Sequence, residues 1–319
     1  MLENNRETIV LEDQIVLARV CGANDENLKM IESALNVRVN ARGNEIRMEG
    51  DPVMKDKFRA VIDALIAAAR GGETPSSEYV KTLAGDVEPT ATAGAIWETV
   101  INIPSGRRVH PCSKNQAFYV RGMRENDISF CVGPAGTGKT YLAVAESLRL
   151  VLSKKLRKLV LTRPVVEAGE SLGFLPGDLE QKINPYLRPL QDAMESLAPF
   201  ETIRRLEETR AIEIAPLAYM RGRSLNDCAV ILDEAQNTTK EQMKMFLTRI
   251  GQGSRVIVTG DVTQIDLPKR TESGLLHAAS ALKNIDGIYF AYLHTVDVVR
   301  NPLIKKIIQA YENYENEEK

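Results

Sequence analysis

Cysteine is scarce in this sequence, and its placement excludes a common use of the residue. Only Cys21, Cys112, Cys131 and Cys228 occur in 319 residues, and no two of them form a CxxC pair. Cys131 and Cys228 lie inside apolar runs that are typical of buried strands, where a reduced thiol behaves as a small hydrophobic side chain. The spacing therefore argues against a zinc site, and we expect a reducing compartment.

Long apolar runs and an excess of charge of one sign are also absent. No run approaches the ~20 apolar residues that a membrane-spanning helix needs, and the N-terminal stretch MLENNRETIVLEDQ lacks the apolar region of a signal peptide. The net charge is −2, with 26% charged and 44% hydrophobic residues. We expect a cytoplasmic protein with no membrane partner, in which any nucleic-acid surface is local.

The length of 319 residues predicts about two domains, at ~150 residues each. Residues 1–72 combine a strand (TIVLE), a helix (DENLKMIESALN), a hairpin (VRVNARGNEIRMEGD) and an amphipathic helix that ends at a Gly-Gly pair. Residues 73–110 contain stretches rich in Gly, Pro, Ser, Thr and Ala, which are typical of a linker. Residues 111–319 form the second predicted domain.

The second predicted domain alternates apolar strand-like runs with helical patterns. Its candidate strands are ISFCVG, KLVLTR, AIEIAPL, AVILDE, RVIVTGD and IYFAYL, and its helical runs include KTYLAVAESLRLVLS and TKEQMKMFLTRI. Continuous apolar strands between helices indicate a parallel sheet that is covered by helices on both faces. The sequence therefore predicts an α/β fold for this domain.

A phosphate-binding loop is predicted between the first of these strands and the helix that follows it. The stretch CVGPAGTGKTYLAVA has the spacing GxxxxGKT, in which backbone N–H groups and the helix N-terminus approach phosphate oxygens. Lys139 would contact the β- and γ-phosphates and Thr140 would ligate Mg²⁺. The alternative is a chance match in a glycine-rich turn. The predicted nucleotide-binding residues are Gly133, Pro134, Ala135, Gly136, Thr137, Gly138, Lys139 and Thr140.

Two adjacent acids follow a second predicted strand, in CAVILDEAQNTTK. Asp233 directly follows the apolar run and can reach the Mg²⁺ ion, and Glu234 lies where it can polarise an attacking water. The alternative is a helix N-cap, although Asn237 or Thr238 is a better cap for the helix that follows. Beside a phosphate loop, the pair favours nucleotide hydrolysis.

A third predicted strand, in VIVTGDVTQIDLP, also ends in polar residues. Thr259 and Asp261 would project toward the carboxyl edge of the sheet, which is the ligand side of open α/β folds. Gln264 follows, and a polar group near the γ-phosphate can report whether that phosphate is present. A polar turn after a buried strand is the equally weighted alternative.

Taken together, these motifs resemble the PhoH family of ATPases. The resemblance rests on GPAGTGKT, LTRPVVEAGESLGFLPGDLEQKINPYLRPL, VILDEAQN, VTGDVTQIDLP and DVVRNP, and it covers residues from about 110 to 310. The family is similar to the motor core of superfamily 1 helicases. The resemblance implies a RecA-like P-loop NTPase core that binds ATP and Mg²⁺ and belongs to an enzyme class that hydrolyses nucleotides.

The resemblance also implies roles for individual residues. Lys139, Asp233 and Glu234 correspond to the phosphate-binding, metal-binding and water-activating residues, and Gln236 completes a DEAQ box. Gly260, Asp261 and Gln264 match a GDxxQ coupling motif, and Thr162, Arg163 and Pro164 match a segment that touches nucleic acid in helicases. Gln116 resembles the glutamine that reads adenine, which favours ATP over GTP. Its alternative is a surface polar residue.

The N-terminal domain resembles a KH-like RNA-binding domain of the small α+β class. The GXXG backbone clamp of such domains is not evident, because the chain reads Gly22-Ala23-Asn24-Asp25 near the predicted helix start. Two roles therefore remain open for this domain. It could bind single-stranded RNA, or it could serve packing and assembly.

The resemblance to helicases also raises the question of a catalytic arginine. Helicases complete the ATP site with an arginine from a second core, and only one motor core fits in this chain. Arg300, in TVDVVRNPLIKK, is the preferred candidate, ahead of Arg270 and Arg249. Arg300 could instead cap or pair within the core. An arginine supplied by another subunit would predict a homo-oligomer, for example a ring.

Three functions are compatible with these residues. The first is an ATPase that couples hydrolysis to RNA binding or remodelling, as a helicase does. The second is a nucleotide-switched assembly factor that recruits an endoribonuclease or ribosomal RNA. The third is a small-molecule kinase, against which the Asp233-Glu234 pair, the GDxxQ motif and the lack of an obvious acceptor-binding lid argue.

Overall fold

The computed structural model describes residues 6–70, 75, 80, 83–84, 99–164, 179–268 and 271–299. The predicted Arg300, its alternative Arg270 and residues 165–178 lie outside the described residues. Contacts between Cα atoms divide the chain into two compact units, which are Met1–Val100 with His110–Ala117 and Ile101–Val109 with Phe118–Lys319. Within the described ranges, no helix is both long and apolar enough to cross a membrane.

The first unit is a small α+β structure with a three-stranded antiparallel sheet in the order β1-β3-β2. Its elements are β1 (Arg6–Val10), α1 (Gln14–Cys21), α2 (Glu26–Leu35), β2 (Arg38–Arg42), β3 (Glu45–Glu49) and α3 (Met54–Arg70). Ile46 and Met48 of β3 are fully buried, and Arg47 between them is exposed. This alternation is the period of a strand with one face on the core, as the sequence predicts.

Helix α1 is absent from the prediction, which has a strand followed directly by one helix. The helix has only eight residues, too few for apolar periodicity to separate it from a loop. Asp13 caps it, because its carboxylate accepts hydrogen bonds from the N–H groups of Ile15 and Val16. The GAND stretch therefore lies between two helices, with Asn24 and Asp25 in the left-handed region at φ 52° and 58°.

The second unit contains a six-stranded parallel sheet in the order β11-β6-β10-β9-β7-β8. Its strands are β4 (Ile101–Asn102) and β5 (Arg108–Val109), which form a separate two-stranded ladder, and β6 (Ile128–Val132), β7 (Lys158–Arg163), β8 (Ile212–Pro216), β9 (Cys228–Leu232), β10 (Arg255–Gly260) and β11 (Ile288–Tyr292). All six predicted strands are confirmed.

Helices connect these strands. They are α4 (Lys114–Glu125), α5 (Lys139–Leu152), α6 (Leu179–Leu197), α7 (Phe200–Glu208), α8 (Lys240–Leu247) and α9 (Gly274–Ala281). Alternating strands and helices around a parallel sheet, with a glycine-rich loop between β6 and α5, confirm the predicted α/β fold class with a P-loop NTPase core.

Strand β9 shows why the apolar runs of this sheet are continuous. Ala229 and Ile231 pack into the hydrophobic core on one face of the sheet. Val230 and Leu232 pack into a second core on the other face. All four side chains are fully buried. A strand buried on both faces favours apolar side chains along its length, and in β9 the first charged residue, Asp233, comes directly after the strand.

The cap of helix α8 differs from the prediction. Thr239 is the N-cap, and its hydroxyl accepts a hydrogen bond from the Gln242 N–H while the Gln242 amide accepts one from the Thr239 N–H. The prediction of Asn237 or Thr238 as the cap is wrong. Asn237 instead exchanges hydrogen bonds with Asp266, and the Thr238 hydroxyl donates to a main-chain carbonyl.

An ion-pair network on β8 makes stability depend on pH. Both Arg223 and Lys158 donate to the carboxylate of Glu213. The Arg223 guanidinium, helped by Lys158, lowers the pKa of Glu213 from 4.5 to about 2. The folded state therefore favours the ionised carboxylate. This stabilisation is complete above pH 4.5 and is lost as the pH falls through about 2.

We expect Glu213→Gln to lower the free energy of unfolding at pH 7 by about 1 kcal/mol, a value discounted because the pair is partly exposed to solvent. At pH 3 the difference from wild type should shrink, because Glu213 is then mostly protonated in the unfolded chain but still mostly ionised in the folded protein, so part of the stabilisation is lost. Urea unfolding at both pH values measures the free energy of unfolding. Glu207→Gln, at an exposed residue of α7, is the control. An equal loss at the two pH values would contradict this account.

Candidate functional site

The phosphate loop connects β6 to α5 at the carboxyl edge of the parallel sheet. Gly136 and Gly138 have φ of 81° and 80°, in the left-handed region that favours glycine. A Cβ atom at Gly133 would lie 2.5 Å from the carbonyl oxygen of Leu293. The loop therefore needs glycine at these positions. Helix α5 follows directly, so its N-terminal N–H groups and the positive end of its dipole are at the loop.

Lys139 is buried at the start of α5, with an exposed fraction of 9%. Its ammonium donates hydrogen bonds to the carbonyl oxygens of Gly133 at 2.6 Å and Pro134 at 2.8 Å. The Thr137 hydroxyl also donates to the Pro134 carbonyl, at 2.8 Å. An ammonium has three N–H donors, so the loop wraps Lys139 and uses two of them. This arrangement holds a positive charge at the place where the sequence predicts phosphate.

Asp233 follows β9 and is almost fully buried, with an exposed fraction of 4%. Its Oδ1 atom accepts hydrogen bonds from the hydroxyls of Thr140 and Thr259, each at 2.7 Å. Two predicted metal ligands, Thr140 and Asp233, are thus in direct contact. The donor from Thr259 is an addition to the prediction, which placed this residue at the same edge without naming its partner.

The oxygen atoms of Thr140 and Asp233 fit a magnesium ion. Hydroxyl and carboxylate oxygens are hard ligands, and Mg²⁺ is usually held by one or two carboxylates together with substrate phosphates and water. Among the residues that the structure describes, no group of three or more His, Cys, Asp or Glu side chains could hold a metal by itself. The residues present therefore suit a metal ion that arrives with a phosphate ligand.

Glu234 lies one residue further along the chain and is held by two neighbours. Its Oε1 atom is 3.2 Å from an Nη atom of Arg163, and its Oε2 atom accepts a hydrogen bond of 2.6 Å from the Gln236 amide. The sequence prediction gave Arg163 to a nucleic-acid contact, whereas the structure pairs it with Glu234. No local pattern in the sequence signals this pair.

Gln236 connects the ends of β9 and β10. Besides Glu234, its amide nitrogen donates to the main-chain carbonyl of Gln264 at 3.1 Å. Its amide oxygen accepts from the N–H of Asp261 at 3.0 Å. A Cβ atom at Gly260 would lie 2.9 Å from that same amide oxygen, so the glycine permits the close approach. The DEAQ and GDxxQ motifs are therefore joined through one buried side chain.

Asp261 has one carboxylate oxygen that is not satisfied. Its Oδ1 atom accepts from the N–H and hydroxyl of Thr263 at 2.9 and 2.6 Å. Its Oδ2 atom is buried and has no hydrogen-bond partner among the described residues. A buried carboxylate oxygen without a donor is costly. A donor such as water around a phosphate-bound metal would satisfy this atom.

These residues surround one cavity of about 270 Å³. Its lining consists of Ala135, Gly136, Gly138, Lys139, Thr140, Tyr141, Asp233, Glu234, Gly260, Asp261 and Gln264. Eight predicted site residues therefore line one cavity, namely Ala135, Gly136, Gly138, Lys139, Thr140, Asp233, Glu234 and Gln264. Tyr141 is a lining residue that the sequence prediction does not include.

Tyr119 contacts the start of α5 through its hydroxyl group. Its side chain is fully buried, and its hydroxyl donates to the Lys139 carbonyl at 3.4 Å. Burial raises the pKa of Tyr119 well above its ordinary value of 10.0. Burial therefore favours the neutral phenol, which keeps its O–H donor.

Gln116 is a predicted site residue that does not line this cavity, and neither do Gly133, Pro134 and Thr137 of the phosphate loop. Gln116 belongs to the first compact unit, where it is buried and its amide oxygen accepts from the Cys112 N–H at 2.5 Å. Arg300 lies outside the described residues. The preceding residue, Val299, donates its N–H to the Gly136 carbonyl at 3.0 Å, a contact with the phosphate loop that the sequence prediction missed.

Comparison with known proteins identifies close relatives. The family model described as PhoH-like protein matches residues 108–312. A PhoH-like protein of Bacillus subtilis (strain 168) is 48% identical over 294 residues, which cover 91% of this chain and 92% of the relative. A PhoH-like protein of Mycobacterium tuberculosis (strain ATCC 25618 / H37Rv) is 46% identical over 312 residues, covering 97% and 88%.

More distant similarities cover less of the chain. Protein PhoH of Escherichia coli (strain K12) is 41% identical over 198 residues, which are 61% of this chain and 56% of that protein. A crystal structure of Pif1 helicase from Candida albicans is 14% identical, covers 56% of this chain and 39% of the helicase chain, and has a TM-score of 0.29. That score is too low to carry an argument about fold or function.

Proposed function

Because the chain belongs to the PhoH family, we propose that it is an ATPase that requires Mg²⁺ and couples hydrolysis to the binding or remodelling of single-stranded RNA. The observation that carries this proposal is the cavity in which Lys139, Thr140, Asp233, Glu234 and Gln264 meet. These side chains supply a cation, two metal ligands, a base and a hydrogen-bonding group. A phosphoryl-transfer site needs these components.

The phosphate loop would bind the triphosphate. Backbone N–H groups of the loop and of the first turn of α5 would donate to phosphate oxygens, and the Lys139 ammonium would contact the β- and γ-phosphates. Thr140 and Asp233 would hold Mg²⁺, which neutralises charge on the phosphate oxygens when it is bound. The hydrogen bonds of Asp233 to Thr140 and Thr259 fix its carboxylate for this role.

Glu234 would act on the attacking water. Its carboxylate lines the cavity and is a general base of the kind that accepts a proton as water attacks a phosphoryl group. Since water and not a bound acceptor is activated, the reaction is hydrolysis. Gln264 also lines the cavity, where its side chain can report the presence of the γ-phosphate.

Coupling to RNA is supported by the hydrogen bonds of Gln236. This side chain links Glu234 to Asp261 and Gln264, so a change at the phosphates can reach the loop after β10. Such a polar network gives hydrolysis a physical route to a second ligand. We further propose that Gln116 recognises adenine, that Arg300 completes the site within a homo-oligomer, and that an endoribonuclease is a partner.

The proposal predicts that single-stranded RNA stimulates hydrolysis several-fold. Phosphate release from ATP is measured with and without single-stranded RNA, DNA of the same sequence and candidate metabolites. Stimulation by RNA supports the coupled ATPase. Slow hydrolysis that no polymer changes would instead favour a nucleotide-switched assembly factor, and phosphate on a metabolite would identify a kinase.

A further inference from the structure

Arg163 and Glu234 are brought together by the register of the sheet. Strand β7 pairs with β9 in parallel, with Thr162 opposite Leu232. The N–H of Asp233 then donates to the Thr162 carbonyl at 2.9 Å. Arg163 follows Thr162 and Glu234 follows Asp233, so both residues lie at the carboxyl edge of adjacent strands. The pairing of the two strands therefore fixes the distance between the main chains of Arg163 and Glu234.

Among the described residues, the carboxylate of Glu234 has one donor on each oxygen. Arg163 contacts Oε1 at 3.2 Å and the Gln236 amide contacts Oε2 at 2.6 Å. Each carboxylate oxygen offers two acceptor sites, so one site on each oxygen remains for water. Of the described residues, those that line the cavity include Glu234 and not Arg163. The guanidinium thus holds the carboxylate without lining the space in which phosphate would bind.

The main chain of Glu234 is also unusual. It has φ 52° and ψ 39°, in the left-handed region, which is uncommon for a residue with a long side chain. Such conformations persist where the surroundings over-determine them, and they cluster at functional sites. The turn aims the Glu234 side chain at the cavity, and the two contacts fix its end. A base oriented by a third group is a recurring arrangement in enzymes.

We propose that Arg163 is a positioning residue that orients Glu234 toward the attacking water. This inference rests on the proposed hydrolytic function. In the reaction the water oxygen bonds to the γ-phosphorus, and the bond to the β–γ bridging oxygen breaks with its electron pair remaining on ADP. The water proton passes to Glu234. Arg163 neither gives nor takes a proton, because a guanidinium remains charged.

The partial exposure of the pair favours an orienting role over a stabilising one. The side chains of Arg163 and Glu234 are 22% and 32% exposed, so a partly exposed ion pair adds little to stability. The ion pair therefore serves mainly to orient the Glu234 carboxylate. A guanidinium that served RNA phosphates instead would be needed only when RNA is present. The two roles make different predictions for hydrolysis without RNA.

The test compares steady-state ATP hydrolysis, without any polymer, in wild type, Arg163→Ala, Arg163→Lys and Arg163→Gln. We expect Arg163→Ala to lower kcat by about 10–100-fold, because misplacing a catalytic group by an ångström has an effect of that order. KM should stay close to wild type, since Arg163 does not line the cavity. Arg163→Lys should restore part of kcat, because it returns the charge without the planar fork.

Two further variants make the outcome specific. Arg204→Ala, an exposed arginine on α7 that pairs with Glu208, should keep wild-type kcat. Adding Arg163→Ala to Glu234→Gln should cause no further loss, because Arg163 acts through Glu234. Fluorescent-nucleotide binding and melting temperature show whether each variant is folded and loaded. If Arg163→Ala does not fold, Arg163→Lys and Arg163→Gln carry the comparison.

The possible results separate this inference from the proposed function. Loss of kcat with retained KM and partial rescue by lysine supports Arg163 as a positioning residue. Wild-type kcat in Arg163→Ala and Arg163→Gln, or a loss of nucleotide binding in both, would overturn it while Glu234→Gln still abolishes turnover. If wild type does not hydrolyse ATP, the proposed function fails and this inference fails with it.

Discussion

Glu234→Gln is expected to lower kcat for ATP hydrolysis by about 10²–10⁴-fold, the range for loss of a general base. The substitution keeps the size of the side chain, but its single amide oxygen can accept from Arg163 or from Gln236, not from both. It removes the negative charge that draws a proton from water. ATP binding should remain close to wild type, because phosphate affinity comes from the loop and Lys139.

Rapid-quench measurement of phosphate release gives the rate, and a fluorescent ATP analogue gives the affinity. Glu195→Gln serves as the matched control, since Glu195 is exposed on α6. It should leave both quantities unchanged. Hydrolysis at the wild-type rate by Glu234→Gln would show that another group activates the water, and the assignment of this residue would then be wrong.

Lys139→Ala is expected to weaken ATP binding by about 10–100-fold, as for the loss of hydrogen bonds from a charged donor. It should also reduce kcat/KM by about 10²–10³-fold, because the ammonium stabilises charge that develops on the phosphates. The conformation of the phosphate loop also depends on the Lys139 side chain. Without Lys139, the carbonyls of Gly133 and Pro134 lose their shared donor.

Lys139→Arg separates charge from shape. It keeps the positive charge, but a planar guanidinium does not fit between two carbonyl oxygens as a compact ammonium does, so binding should remain impaired. Lys155→Ala, at an exposed lysine after α5, is the control. Nucleotide affinity is measured by titration of each folded variant. Wild-type affinity in Lys139→Ala would exclude the loop as the phosphate site.

Most of the features that could be predicted depend on residues that are close together in the sequence. The inner strands of the sheet were predictable because burial on both faces leaves a mostly apolar run, as in β9. The phosphate loop was predictable because one glycine-rich turn contains all its parts. The acids Asp233 and Glu234 were predictable because a polar pair directly after a buried strand has few other uses beside such a loop.

Contacts across the sheet were not predictable in the same way. The Thr259–Asp233 and Arg163–Glu234 pairs join neighbouring strands, and strand order is not written in any local pattern. Helix α1 was missed because eight residues carry too little periodicity. The α8 cap was misplaced because Asn237, a good capping residue, is instead bonded to Asp266.

Release of inorganic phosphate from ATP by the wild-type chain tests the central claim most directly. Phosphate and ADP are quantified over many turnovers, with Mg²⁺ present and with Mg²⁺ removed by EDTA. The account predicts equal amounts of phosphate and ADP with Mg²⁺, and a near-complete loss of both with EDTA. ATP that stays intact in the presence of Mg²⁺ and RNA, or turnover that EDTA does not affect, would contradict it.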